Sequence, residues 1–270
     1  SSSGHLILLS KFTSFPDQGL EIDIAVHVGS ILAVMIYFWR DIRDMLYGLV
    51  NAFFNRFPSV KNFYLRKASA AAKDFIFNQL PAADLRLLLM LVVGTVPAVV
   101  FGLALHHFGM EWLRSTKIIG WNILLFGILL WIADRFQPSK RSIADMTYKD
   151  AFLIGLAQCL AMIPGTSRSG ITITASRFLR LERREAARFC MLLSVPAIAG
   201  AGLLVAAEIW QSGNYENLHY ALSGIGYSFI ASIAAIFIMM KWLKNYTFLP
   251  FVIYRVVLGI FLLLHSYGYI

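Results

Sequence analysis

Six apolar runs dominate the sequence and restrict it to one class of fold. Each is about 17 to 24 residues long, and they lie at 22–39, 85–108, 118–134, 187–210, 220–240 and 249–269. About 20 apolar residues are needed to cross a bilayer as a helix. The chain is 58% hydrophobic and only 14% charged, which leaves too little polar surface for a soluble domain of this size. We therefore predict an all-α, polytopic integral membrane protein with a single membrane domain over residues 1–270.

One further apolar stretch, 151–180, does not fit a simple crossing. Its first arm, AFLIGLAQCLAMI, is followed at once by the polar segment PGTSRSG. An arm of that length spans about 20 Å as a helix, which is too short for a hydrocarbon core of about 30 Å. Two topologies remain for this stretch: a single broken span, or a re-entrant helical hairpin that returns to the face it entered.

The basic residues decide between these two topologies, because lysine and arginine concentrate on the cytoplasmic side of membrane proteins. With the hairpin, 19 of the 24 basic residues fall on one side. Three fall on the other side, and Arg168 and Arg255 lie at membrane depth. A single span would divide them 12 against 10, which is no bias. We therefore predict a hairpin that enters from the cytoplasmic side.

The same rule makes the opening segment, SSSGHL, approach from the outer face. Each half of the chain then contains one re-entrant hairpin followed by three transmembrane helices, in opposite orientations, which is the plan of an inverted repeat. We expect the first repeat at 1–134, lacking its natural N-terminal part, and the second at 151–270. The insertion at 40–84 is predicted to be either a helix on the inner membrane surface or an ordinary pair of short cytoplasmic helices.

The segment PGTSRSGITIT, residues 164–174, places polar groups at membrane depth. The N–H groups of Ser169 to Thr172 would open the second arm of the hairpin, and a helix N-terminus suits an anion. Arg168 adds a fork of donors that fits phosphate oxygens, and burying it in the bilayer costs about 3 kcal/mol. We predict a phosphate-binding loop with ligands at Ser167, Arg168, Ser169, Gly170 and Thr172. The alternative is a capped helix end with a structural arginine.

The opposing loop, SSSGH, sets three hydroxyls before an imidazole. His5 is predicted to act as a general acid or base, and Ser1, Ser2 or Ser3 as nucleophile or phosphate ligand. Two other polar residues at membrane depth are left open. His27 either lines the cavity or packs structurally, and Arg255 either binds a second phosphate or ties two helices together.

The motifs SSSGHL, PGTSRSGITIT and GSILAVMIYFWR together resemble the undecaprenyl-pyrophosphate phosphatase family, the bacitracin-resistance type of membrane phosphatase. The second motif fits the family pattern P-G-x-S-R-S-x-x-T, and the resemblance covers essentially the whole chain. It implies hydrolysis of undecaprenyl pyrophosphate to the monophosphate, which recycles the lipid carrier for cell-wall synthesis and gives bacitracin resistance. It also implies a bacterial inner-membrane protein whose active site opens to the periplasmic, outer side.

The resemblance further implies a divalent cation, Mg²⁺ or Ca²⁺, a prenyl pyrophosphate lipid as substrate, contact with membrane lipid and a homodimer. No nucleic-acid partner is expected, because the basic residues follow the membrane topology. Arg168 would hold the phosphate, Ser2 would be the nucleophile, and His5 its partner or its rival, with water as a third nucleophile. The metal ligands stay unknown, because the family's two acidic residues belong to a segment preceding SSSGH that is absent here. A chain of this length is therefore expected to be inactive.

A transporter or lipid-phosphate flippase is the alternative function, because inverted repeats with paired re-entrant loops are also a transporter plan. A transporter needs a binding loop but no nucleophile. The serine–histidine pair therefore favours the enzyme.

Overall fold

The computed structural model describes residues 19–67, 69, 70, 73, 85–108, 115–212 and 218–269. Side chains are described over 25–64, 66, 67, 69, 70, 73, 85–104, 115–200 and 221–269. Regular structure within these ranges is helical, and the only β-type pairing there is an isolated bridge between Arg141 and Leu181. The predicted all-α fold is therefore confirmed.

Six of the described helices coincide with the six predicted spans. In chain order the helices are α1 (Gly19–Tyr37), α2 (Trp39–Arg56), α3 (Pro58–Lys67), α4 (Leu85–Phe108), α5 (Thr116–Phe136), α6 (Tyr148–Cys159), α7 (Arg168–Phe178), α8 (Arg183–Ser212), α9 (Leu218–Trp242) and α10 (Leu249–Ser266). The predicted spans correspond to α1, α4, α5, α8, α9 and α10. Two 3-10 turns, Ile143–Asp145 and Leu160–Met162, flank α6.

The span helices direct large apolar side chains outward. Val100 and Leu103 on α4, Ile230 and Ile238 on α9, and Val257 on α10 are each at least 60% exposed. Contiguous exposed apolar surface of this kind is rare on soluble monomers, whereas lipid solvates it readily. Four described helices are long and apolar enough to cross a bilayer, and the bent pair α1–α2 would supply a fifth crossing. The chain is a multi-pass membrane protein.

The ends of α5, α7, α8 and α10 meet in one ionic cluster around Asp134. We call the side of the protein that carries this cluster the basic face. The carboxylate of Asp134, near the end of α5, accepts hydrogen bonds from Nε of Arg177 (3.1 Å), Nε of Arg183 (2.7 Å) and the backbone N–H of Phe248 (3.1 Å). These donors lie at the end of α7, the start of α8 and just before α10. One carboxylate therefore holds the corresponding ends of four helices together.

Removing this charge is expected to destabilise the fold. Arg177 is fully buried, so replacing Asp134 by Asn leaves its guanidinium without a compensating charge. Breaking a buried pair in this way costs about 3–5 kcal/mol, which corresponds to a fall in Tm of about 6–20 °C for a chain of this size. Thermal unfolding in detergent measures the change. Asp145→Asn, at an exposed carboxylate nearby, is the matched control. A Tm for Asp134→Asn equal to that of the control would contradict the role given to the cluster.

The contacts of Arg141 show that α6 and α7 form a helical hairpin, while its re-entry into the membrane stays a prediction. Its Nη2 donates to the Asp150 carboxylate at the start of α6 (2.6 Å), and its Nη1 donates to the Leu179 carbonyl at the end of α7 (3.0 Å). Thr147 caps α6 reciprocally with Asp150. Burial alone would raise the pKa of Asp150, but the hydrogen bonds from Arg141 and Thr147 outweigh it and lower that pKa. Both ends of the hairpin therefore lie on the basic face.

The position of the hairpin is fixed by close packing against α4 and α5. Gly155 in α6 packs on the Gly94 carbonyl of α4 so closely that any Cβ would collide with it, and the Met162 side chain lies where a Cβ on Gly102 would point. Small residues allow this close backbone approach. The turn contacts Asn122 of α5, which lies about 18 Å along the helix from Asp134. The loop therefore lies within the length of the span helices, about 9 Å along α5 from Thr116 at its other end.

The described part of the 40–84 insertion forms α2 and α3. Helix α2 leaves α1 at an angle of 80°, and an ion pair between Asp41 and Arg188 fixes its start to α8 at the basic face. The inverted repeat itself, 1–134 against 151–270, stays a prediction, because the opposing loop lies outside the described residues.

Candidate functional site

The turn of the hairpin, residues 163–167, is irregular for local reasons. Pro164 has no N–H to donate, and Gly165 adopts a φ of +90°, a conformation that L-residues with a side chain seldom adopt. A Cβ on Gly165 would lie 2.6 Å from the Ile119 carbonyl oxygen. Glycine therefore allows the turn to pass directly over the backbone of α5.

The carbonyls of the turn are bound by residues from two other helices. Nδ2 of Asn122 in α5 donates to the Pro164 carbonyl (3.0 Å). Nη2 of Arg255 in α10 donates to the carbonyls of Gly165 (3.1 Å) and Thr166 (3.0 Å). Three successive carbonyls are thus engaged. The position of the loop is thus held by hydrogen bonds that its carbonyl oxygens accept from Asn122 and Arg255.

Arg255 therefore ties helices together, one of the two roles left open by the sequence. Its stem packs on Gly127 of α5, and it is buried. Its Nε and the hydroxyl of Thr166 find no hydrogen-bond partner among the described residues. Sequence reasoning missed Asn122 as a loop contact, although an asparagine inside an apolar span is itself a signal of function or specific packing.

Ser167 caps the second arm and limits which backbone donors remain open. Its Oγ accepts from the N–H of Gly170 (3.3 Å), and its carbonyl accepts from the N–H of Ile171 (2.9 Å). Ser169 to Thr172 were predicted to offer their N–H groups. The donors without a helical acceptor are instead those of Arg168 and Ser169, the first two residues of α7. The predicted anion site therefore begins at the N–H of Arg168, one residue before the Ser169 N–H indicated by the sequence.

The Arg168 side chain is the distinctive feature of this loop. It begins α7, is half-buried, and makes no hydrogen bond or ion pair with any described residue. Every carboxylate paired in the described part lies at the basic face or on α2. A guanidinium at membrane depth with no internal counter-charge needs an anion. Together with the two open N–H groups of α7, it supplies the kind of donors that an anion site needs.

The hydroxyls of α7 divide into two groups. Thr172 is buried and donates to the carbonyl of Arg168 (2.8 Å), and Thr174 donates to that of Gly170 (2.7 Å). Such back-bonding occupies the hydroxyl hydrogen, so Thr172 would have to rotate to donate to a phosphate. The hydroxyl of Ser169 is exposed and makes no hydrogen bond with a described residue. Among the described hydroxyls predicted to bind phosphate, that of Ser169 is free to donate, and that of Ser167, which only accepts, also keeps its hydrogen.

The remaining predicted site residues, Ser1, Ser2, Ser3 and His5, lie outside the described residues. Whether they face Arg168 stays a prediction. The described residues also contain no group of three or more His, Cys, Asp or Glu side chains that could hold a metal ion. They therefore do not by themselves fit a divalent cation.

Comparison with known proteins gives a consistent result over the whole chain. A family model described as bacitracin resistance protein BacA matches residues 1–261. The chain is 41% identical over 269 residues to a protein of Roseobacter denitrificans named undecaprenyl-diphosphatase, covering 99% of this chain and 92% of that protein. It is also 41% identical over 269 residues to the undecaprenyl-diphosphatase of Ruegeria pomeroyi, with the same coverage. A protein of Rhodospirillum rubrum named undecaprenyl-diphosphatase 1 is 41% identical over 274 residues, 99% of this chain and 89% of that protein.

Proposed function

This chain belongs to the bacitracin resistance protein BacA family, and from that premise we infer that it is an undecaprenyl-diphosphatase. It hydrolyses undecaprenyl pyrophosphate to undecaprenyl phosphate and inorganic phosphate. The activity predicted from the sequence is thereby confirmed, and the transporter or flippase alternative is not favoured. The structural observation that carries the site assignment is the guanidinium of Arg168, which has no partner among the described residues and lies beside the open N-terminus of α7.

We propose that Arg168 and the N–H groups of Arg168 and Ser169 bind the terminal phosphoryl group. In the transition state the charge of that group is spread over its three equatorial oxygens, which positioned donors stabilise. Three carbonyls of the turn are bound from α5 and α10, so the loop is preorganised before substrate arrives. Ser1, Ser3, Ser167, Gly170 and Thr172 are further phosphate ligands in the proposal. The N–H of Gly170 would first have to leave the Ser167 hydroxyl, and the Thr172 hydroxyl would have to leave the Arg168 carbonyl.

The proposed reaction is a displacement at the terminal phosphorus. The hydroxyl oxygen of Ser2, or a water oxygen, forms a bond to that phosphorus while His5 accepts the proton. The bond from phosphorus to the bridging oxygen breaks, and its electron pair leaves with undecaprenyl phosphate. If Ser2 attacks, water then hydrolyses the phosphoserine and releases inorganic phosphate.

A divalent cation, Mg²⁺ or Ca²⁺, is part of the proposal on the family resemblance alone. No step is assigned to it, because the described residues provide no ligand set. Phosphate release should fall to background when a full-length enzyme is treated with EDTA and return when the cation is restored. Unchanged release in EDTA would remove the cation from the proposal.

We also propose that the protein lies in the bacterial inner membrane with its site open to the outer side. The concentration of lysine and arginine on the opposite side of the predicted topology supports this orientation. A homodimer stays part of the proposal.

The function is tested with purified full-length enzyme in detergent, where no compartments exist. We expect inorganic phosphate to be released from undecaprenyl pyrophosphate, with one undecaprenyl phosphate formed for each phosphate. A protein that only transports or flips its lipid would bind the substrate and release nothing. Binding without release would therefore overturn the assignment.

Arg255 is expected to act as a positioning residue in this enzyme. Lysine keeps the charge but lacks the planar fork that lets one nitrogen reach neighbouring carbonyls, so the loop shifts in Arg255→Lys. A misplacement of about 1 Å can cost about 100-fold in rate, and we expect kcat/KM to fall by about 10- to 100-fold. Added guanidinium should partly restore turnover in Arg255→Ala. Val257→Ala, two residues away and facing lipid, is the control. Wild-type kcat/KM in Arg255→Lys would contradict the role.

A further inference from the structure

The elbow, which we define as Trp39–Lys67, carries an exposed apolar stripe. Leu46, Leu49, Val50 and Phe53 on α2 are all exposed, and their spacing places them on one side of the helix. Met45 and Gly48, on another side, are buried against the body of the protein. Because α2 leaves the span α1 at 80°, the stripe runs across the span direction, along the plane of the bilayer.

The elbow also carries positive charge that no described acidic residue compensates. Its two carboxylates are already engaged, Asp41 with Arg188 and Asp44 with Arg43. Four cations of the elbow form no ion pair with a described residue: Arg40, Arg56, Arg66 and Lys67. The elbow therefore presents a cationic surface beside its apolar stripe.

Three of these cations lie over the ring of an exposed aromatic residue. The distances to the ring centroids are 5.8 Å for Arg40 over Trp39, 5.9 Å for Arg56 over Phe57, and 4.7 Å for Lys67 over Phe63. An aromatic ring beside a cation suits the membrane interface, where the ring enters the headgroup boundary and the long basic side chain reaches the phosphates. Helices of this composition lie in the interface plane.

We propose that the elbow is a binding surface for anionic phospholipids of the leaflet at the basic face. The apolar stripe enters the acyl-chain boundary, and Arg40, Arg56, Arg66 and Lys67 bind headgroup phosphates. Lipid is favoured over a second copy of this chain, because two copies meeting symmetrically through this surface would oppose like charges. The surface lies on other elements than the loop at 164–174 and does not depend on the activity assigned to it.

The test uses the whole protein in nanodiscs with a single bimane label on Leu49→Cys. Cys159 is replaced by alanine, while Cys190 is buried and needs no replacement. Phosphatidylglycerol or phosphatidylcholine with a nitroxide on the acyl chain is added as quencher. We expect phosphatidylglycerol to quench at least about fivefold more strongly, the ratio that a single cation near an anionic surface supplies.

Two matched triple variants separate headgroup binding from general charge. Changing Arg56, Arg66 and Lys67 to glutamine should remove the preference for phosphatidylglycerol. Changing Lys140, Lys149 and Lys244 to glutamine, which removes three exposed cations elsewhere on the basic face, should retain it. Since all these side chains are exposed, the variants should fold and keep the phosphate release of the parent protein in detergent.

The outcomes are distinct. Equal quenching by the two lipids would overturn the proposal, as would absence of quenching by either. Energy transfer between labels on two protein copies, without lipid quenching, would assign the surface to self-association. Loss of preference in both triple variants would show a diffuse charge effect and would equally overturn a specific surface.

Discussion

Arg168→Ala is expected to reduce kcat/KM for undecaprenyl pyrophosphate by at least about 1,000-fold. A single preorganised donor to a developing oxyanion accounts for about 100- to 1,000-fold, and an arginine facing a transferred phosphoryl group accounts for more. Because Arg168 makes no hydrogen bond or ion pair with a described residue, its removal should leave Tm unchanged or raise it. Loss of activity without loss of stability identifies a ligand-binding side chain. Phosphate release and thermal unfolding in detergent supply both measurements.

Two further variants sharpen this test. Arg168→Lys keeps the charge and loses the fork, so an intermediate kcat/KM is expected. Arg184→Ala removes an exposed arginine at the start of α8 and should have no effect on turnover. If Arg168→Ala kept kcat/KM within tenfold of the parent enzyme, the loop at 164–174 would not be the phosphate site.

Gly165→Ala is expected to have the second largest effect, through the backbone. A residue with a side chain at a left-handed φ costs about 1–2 kcal/mol, and here the new Cβ would also meet the Ile119 carbonyl at 2.6 Å. Because that neighbour is backbone, the loop must move away from α5 and give up its bonds to Asn122 and Arg255. We expect kcat/KM to fall by at least about 100-fold, with a lower Tm.

The control for this substitution is Gly226→Ala in α9, where an added Cβ meets nothing within 4 Å. Alanine is the better helix former, so its stability should be equal or higher and its activity unchanged. Gly165→Ala with parental turnover would mean that the position of the turn does not matter for catalysis.

The helices and the hairpin were predictable because lipid imposes simple rules. Length of apolar run and distribution of basic residues depend only on the sequence and the bilayer, and they led to the spans and to the re-entrant hairpin. The angle between α1 and α2 could not be predicted from the sequence, because no proline or glycine lies at the bend. The ion pair between Asp41 and Arg188, which holds the start of α2 against α8, joins residues far apart in the chain.

The site was predictable in chemistry and less so in detail. The sequence PGTSRSG indicated an anion-binding loop, and the structure places Arg168 at the start of α7 without a counter-charge among the described side chains. The sequence did not show that Ser167 caps α7 and so determines which N–H groups remain open. It also did not show that the Thr172 hydroxyl donates to the Arg168 carbonyl. The contacts of Asn122 and Arg255 with the loop are tertiary and leave no trace in a local motif.

The backbone contact between Gly155 and Gly94 and the bonds of Arg141 to both hairpin ends hold the loop at a fixed position relative to α4. A diphosphate that enters from the outer side must travel to it, about 9 Å along α5 from Thr116, while the loop does not rise to meet it. The long prenyl tail can supply that descent by staying in the surrounding hydrocarbon. Pyrophosphates with short prenyl chains should therefore have a higher KM than undecaprenyl pyrophosphate. Once bound, they should react with nearly the same kcat.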